Sequence, residues 1–169
     1  MVTTCIRINN VSSNKGGVCL YIKDDIMCKV RKDLEICKDH IETVFAECLI
    51  NNETLVIGML YRRPDTSIER FFEDLVIILN KVNHKCILLG DFNLNLLDEN
   101  YHVENLINIM QQHSYETVIT KPTRVSKNSA TLIDHIWTNM GLENLSDCSI
   151  VFTDISHSFS GLSKFKMYR

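Results

Sequence analysis

Short apolar strands broken by only two helical patterns place this 169-residue sequence in the α/β (α+β) class, as mixed β-sheets flanked by helices. Two further observations agree. No Gly-rich loop joins a strand to a helix, which disfavours a simple βαβαβ dinucleotide-binding fold. Hydrophobic residues make up 45% and charged residues 23%, with no repeat or low-complexity tract to divide the chain, so residues 1–169 read as a single domain. A chain of this length can bury about two thirds of its unfolded surface.

The elements follow in order. Gly17–Ile22 (GVCLYI), launched from Gly16, reads as a strand out of a tight turn. Thr43–Ile50 and Thr54–Arg62 are β-rich runs separated by Asn51, Asn52 and Glu53, the punctuation of a hairpin. Pro64 stops the second run, and Asp65, Thr66 and Ser67 offer N-caps to a helix reaching about Val82. Ile68, Phe71, Phe72, Leu75, Val76, Ile78 and Leu79 recur at helical spacing in it. Lys85–Gly90 (KCILLG) suits a strand covered on both faces. A second helix spans about His102 to His113, then a loop at Lys121–Ser129, a strand at Thr131–Thr138 and another near Cys148–Phe152.

Bulk charge limits the partners. The net charge is −3 and the pI about 6.1, so no global basic field draws nucleic acid, and any grip on it must be a local groove. Seven cysteines without a CxxC pair, several inside apolar runs, argue against zinc or a disulfide framework and for reduced thiols. No signal core or membrane-length apolar run occurs, so the expectation is an intracellular protein with no membrane partner.

Chemistry concentrates after the strand Cys86–Leu89, at Gly90-Asp91-Phe92-Asn93. A carboxylate and an amide two residues apart can face one cleft, the first taking a proton from water or holding a divalent cation, the second orienting a phosphate oxygen. The alternative is a plain Asx turn ending a strand. Asp134 interrupts the apolar run LIDHIW, either buried and paired or facing solvent on a half-exposed strand. Tyr61 and Arg62-Arg63-Pro64 bring a phenol and two guanidiniums to a strand end, which suits phosphate contact or an ordinary surface turn.

The ordered series GGVCLYI, ETVFAE, GMLYRRP, ILLGDFNLNLL, ITKPTR, SATLIDHIWTN and TDIS, from about Gly16 to about His157, resembles the endonuclease domain of LINE-type non-LTR retrotransposons. That domain belongs to the deoxyribonuclease I-like endonuclease/exonuclease/phosphatase superfamily. The resemblance implies a four-layer sandwich of two mixed sheets flanked by helices, Mg²⁺ as cofactor, DNA as partner, and a reverse transcriptase fused in the parent element. It also implies a nuclear location for an active element. On it, Asp91 corresponds to the water-activating aspartate, Asn93 to the asparagine at the attacked phosphate, Tyr61 to a tyrosine there, and Asp134 to the aspartate orienting a catalytic histidine. Asp91 and Asn93 would hold the metal. Arg62, Lys121, Thr123, Arg124 and Asn128 would meet the DNA.

Two departures qualify the match. The chain begins after the first strand–helix–strand of the family, which carries a metal-binding glutamate. Near the C-terminus Ile155-Ser156-His157-Ser158 stands where the family has Ser-Asp-His: either the Asp is deleted and His157 is the catalytic histidine, the reading taken, or His157 replaces the Asp and Ser158 the histidine. The expected function is thus a fragment of a Mg²⁺-dependent DNA-nicking endonuclease, impaired in this chain. The competing readings are a catalytically dead binding or structural remnant and a phosphoesterase of the same superfamily.

Overall fold

The computed structural model describes residues 3–8, 18–145, 151–153 and 164–166. Strand β1 (Thr3–Ile8) pairs antiparallel with β2 (Val18–Lys23) from Thr3↔Lys23 to Ile8↔Val18. β3 (Cys28–Val30), β4 (Ile36–Cys37), β5 (Ile41–Ile50) and β6 (Glu53–Arg62) follow. β5 and β6, ten residues each, form a hairpin through Asn51 and Asn52, at φ 51° and 62°. Asparagine tolerates that left-handed backbone, which a tight two-residue hairpin turn requires.

Helix α1 (Ile68–Lys81) is capped by Ser67, whose side chain accepts from the Arg70 N–H. It buries Phe71, Phe72, Leu75, Ile78 and Leu79, the face the sequence spacing predicts. α1 is the crossover that lets β7 (Lys85–Asp91) lie parallel to β6. Six of the seven β7 residues are buried, as a strand covered on both faces must be. Helix α2 (Tyr101–Gln112) is capped by Asn100, which accepts from His102 and Val103. Then come β8 (Glu116–Thr117), β9 (Arg124–Val125), β10 (Ala130–Thr131) and β11 (Asp134–Thr138), with β12 (Val151–Thr153) and β13 (Lys164–Lys166) pairing antiparallel.

β3, β5, β6, β7, β11 and β8 run side by side in a mixed seven-stranded sheet, with β4 also on β5. One face meets α1 and α2 through Phe45, Val56, Leu60, Leu88 and Trp137. Val44, Ala46 and Cys48 on the other face meet Val18, Leu20 and Ile22 of the β1–β2 sheet. Each Val, Leu, Ile or Phe among these contributes about 1.5–3 kcal/mol on burial, so the sheet is held from both sides. This is the α/β sandwich of mixed sheets and helices that the sequence predicts.

Two kinds of detail depart from the sequence reading. β1, β3, β4, β8 and β13 are elements the sequence reading did not separate, and β9 lies in the segment it read as a loop. The strand expected at Thr131–Thr138 is split, because Leu132 and Ile133 turn their backbone to the loop after β7. Phe92 N–H donates to Ile133 O at 2.9 Å, and Leu96 N–H to Leu132 O at 3.0 Å. That loop competes successfully for the polar groups a continuous ladder would have used.

Candidate active site

Register places the candidate residues before any side-chain geometry is considered. Tyr61 of β6 is the Cα partner of Asp91 on β7, and Asp91 is the partner of Asp134 on β11. Partners across adjacent strands point to one face, so these three groups stand in a row at one end of the sheet, with strands about 4.8 Å apart. Glu42 of β5 extends the row, since it pairs with Tyr61. The sequence reading passed over Glu42 because one carboxylate in ETVFAE looks like ordinary strand alternation; only the register exposes it. It is buried, with Arg63 Nη2 at 3.8 Å from Oε1.

Asp91 makes the Asx turn that its sequence allows and carries an ion pair as well. Oδ1 accepts the Asn93 N–H at 2.9 Å, an Asx turn, while Oδ2 receives Arg124 Nη2 at 2.9 Å. Gly90 before it admits no side chain, because a Cβ would collide with the Leu60 carbonyl. Asn93 adopts φ 47°, a left-handed conformation that asparagine tolerates, and its Nδ2 donates to Arg62 O at 2.7 Å.

Asp134 is buried rather than solvent-facing. Thr123 Oγ1 donates to its Oδ2 at 2.8 Å, and Arg124 Nη2 lies 3.4 Å from Oδ1. Arg124 therefore spans both aspartates, its side chain one third exposed and theirs nearly closed from solvent. A guanidinium placed between two buried carboxylates offsets their mutual repulsion.

Arg62, expected among the DNA contacts, lies under the loop instead. It is 5% exposed and donates from Nε to Phe92 O at 2.7 Å, from Nη2 to Asn93 O at 2.9 Å and from Nη1 to Arg63 O at 3.2 Å. Burial lowers its pKa, an effect the neighbouring Asp91 charge opposes. The other side of the loop is held by His135, whose Nε2 donates to Leu94 O at 2.9 Å and Leu132 O at 3.1 Å while the ring stacks on Phe92. Asn95 Oδ1 adds a bond from Leu132 N–H at 2.8 Å. Burial pushes the His135 pKa down to about 4, so the ring is neutral near pH 7.

Lys121 and Asn128 are exposed beside the site on the segment that carries the β9–β10 hairpin, whose turn closes by Ser126 N–H to Ser129 O at 2.8 Å. His157 lies outside the described residues. Among the described residues, no group of three or more His, Cys, Asp and Glu is arranged to hold a metal ion. The donors in the row are nevertheless hard oxygens already attracting a cation. Mg²⁺ commonly takes one or two carboxylates and completes its shell with water and substrate phosphate, so the chemistry of the set fits that ion.

A model of the endonuclease-reverse transcriptase family matches residues 54–158. The fold is similar to that of the endonuclease domain of TRAS1, a telomere-specific non-LTR retrotransposon, at 16% identity and a TM-score of 0.68 over 88% of this chain and 71% of that one. It is also similar to an endonuclease/exonuclease/phosphatase family protein from Leptotrichia buccalis, at 13% identity and TM-score 0.56 over 82% of this chain and 60% of that one. A third similar structure is D. rerio TDP2 complexed with single-strand DNA product, at 11% identity and TM-score 0.55 over 90% and 66% of the two chains. This chain thus spans about three fifths to seven tenths of the length of these structures. No curated protein matches the sequence.

Proposed function

The chain belongs to the endonuclease-reverse transcriptase family, and from that premise we propose that its sheet-end site hydrolyses phosphodiester bonds in DNA, as part of the target-nicking endonuclease of a non-LTR retrotransposon. The observation that carries this reading is the in-register row Tyr61–Asp91–Asp134, with Thr123 and Arg124 closing on the two carboxylates. Asp91 is the base that takes a proton from the attacking water, and its Asx turn fixes the direction from which it does so. Asn93, oriented through Arg62 O, holds a phosphate oxygen. The Tyr61 phenol flanks the same phosphate. Asp134 orients the group that protonates the leaving oxygen, a role the resemblance gives to His157. Lys121, Thr123, Arg124 and Asn128 border the path of the strand.

Mg²⁺, held by Asp91 and the Asn93 amide, would supply Lewis-acid stabilisation of the pentavalent phosphate. The parent polypeptide would carry a reverse transcriptase and act in the nucleus. A second reading, a DNA-binding remnant without turnover, draws support from the guanidinium across both aspartates, because a neutralised carboxylate pair also suits a structural site.

Incubation of supercoiled plasmid with the protein and Mg²⁺ separates the two. The endonuclease reading expects slow nicking that Asp91→Ala lowers by about 10²–10⁴-fold, the usual contribution of a positioned base. DNA retention with identical nicking by wild type and Asp91→Ala would leave only the binding remnant.

A further inference from the structure

The cation of the row is part of the protein. Arg124 Nη2 stands 2.9 Å from Asp91 Oδ2 and 3.4 Å from Asp134 Oδ1, and its Nε stands 3.4 Å from Asp134 Oδ2. One guanidinium therefore occupies the Asp91 oxygen that a divalent ion would be drawn to, and Asp134 anchors it there. Arg124 is also the most exposed member of the trio and lies on the small β9–β10 hairpin rather than on the seven-stranded sheet. Lys127 and Asn128 form the exposed tip of that hairpin. The carboxylates are fixed by the sheet; the cation is delivered by an outlying element.

We propose that Arg124 and a divalent metal ion compete for the Asp91 carboxylate, and that a DNA phosphate draws Arg124 away from it. The inference rests on the endonuclease reading and adds to it a coupling between metal and DNA. In the free protein the guanidinium neutralises the aspartates and weakens metal binding, since a monocation and a dication cannot share a seat without repulsion. A phosphate beside the hairpin offers the guanidinium a bidentate partner of equal quality in a more exposed place. Its departure removes one cation from the Asp91 oxygen, and the metal then binds there. By linkage, DNA tightens metal binding by the same factor by which metal tightens DNA binding. Arg124 is in this sense a gate on cofactor loading as well as a phosphate contact.

Manganese binding, followed by the loss of the free-ion EPR signal, tests this without reference to activity. Wild type, Arg124→Ala, Arg124→Gln and Arg124→Lys are titrated with Mn²⁺ alone and with a short DNA duplex, whose integrity is checked on a gel afterwards. Asp91→Asn reports on the seat itself, and Lys127→Ala on the general effect of removing a nearby positive charge. The proposal expects Arg124→Ala and Arg124→Gln to bind Mn²⁺ tighter than wild type without DNA, on the order of tenfold, and to lose most of the tightening that DNA gives wild type. Arg124→Lys should fall between, and Lys127→Ala should stay within about twofold of wild type in Mn²⁺ binding without DNA. Two neutral substitutions guard against a single variant that misfolds, and circular dichroism checks both. Unchanged or weaker Mn²⁺ binding in the neutral variants, with binding lost in Asp91→Asn, overturns the competition and leaves the endonuclease reading intact. Mn²⁺ binding that Asp91→Asn does not alter overturns both, because the seat is then elsewhere.

Discussion

Asp91 gives its two oxygens different work, and that division can be measured. Asparagine at 91 retains an oxygen for the Asn93 N–H but cannot accept from Arg124, whereas alanine loses both bonds. Asp91→Asn should therefore be more stable than Asp91→Ala by about 1 kcal/mol in urea denaturation, the net worth of one turn hydrogen bond. Equal stabilities would mean that the Asx turn contributes nothing. Arg62 invites a different comparison, because its planar fork serves three carbonyls at once. Lysine cannot reproduce that fork. Arg62→Lys should lose about 1–3 kcal/mol, the penalty for buried acceptors left unpaired, yet leave the salt dependence of DNA binding unchanged. Lys121→Ala should do the reverse, flattening the dependence by about one phosphate contact at little cost in stability. Fluorescence anisotropy across a salt series distinguishes the two.

The loop after β7 is stitched to the β10–β11 connection through backbone bonds, Asn95 and His135, and the histidine makes this join sensitive to acid. Burial depresses the His135 pKa from 6.5 to about 4, because the ring lies against Phe92 with Nδ1 making no hydrogen bond. The unfolded chain thus binds a proton that the folded chain refuses between those values. Stability from this residue is complete above pH about 6.5 and declines as pH falls towards 4, by about 3 kcal/mol if the full shift holds. His135→Phe keeps an aromatic ring on Phe92 but has nothing to titrate. Its stability relative to wild type should improve on going from pH 7 to pH 4, as read by denaturation at each pH; parallel curves would rule the histidine out as the cause. None of this join was legible in LIDHIWT. The run is apolar enough to imply a strand, and Asp134 stands out as a charge within it, but the break at Leu132 and Ile133 depends on bonds to residues some forty positions earlier. Strand ends, caps and the β5–β6 turn were readable because their causes are local: Asn51 and Asn52 carry the turn, Ser67 and Pro64 the helix start. The convergence of Tyr61, Asp91 and Asp134 was inferred from strand-end positions together with a family resemblance. The place of Glu42 in the row, the burial of Arg62 and the bridging by Arg124 depend on register and packing, which no local spacing encodes.

At the scale of the molecule, the candidate site occupies one end of a sheet covered by helices on one face and by the β1–β2 pair on the other, so its aspartates stand on the sheet and the guanidinium that bridges them comes from outside it. This separation has a consequence for DNA. With a net charge of −3 the chain as a whole does not attract a polyanion, so the proposed DNA binding must come from a few local cations. Lys121, Arg124 and Lys127 all lie on the segment that carries the β9–β10 hairpin. Each phosphate neutralised on duplex DNA contributes about −0.9 to the slope of log affinity against log salt. Three contacts then give a slope of roughly −2 to −3, far shallower than that of a protein with a broad basic face. Affinity for a short duplex, measured between low and physiological salt, should follow that shallow line, and Arg124→Ala should flatten it by about one unit. A slope several units steeper would point to a second, more basic surface and remove the hairpin from its place as the main contact with DNA.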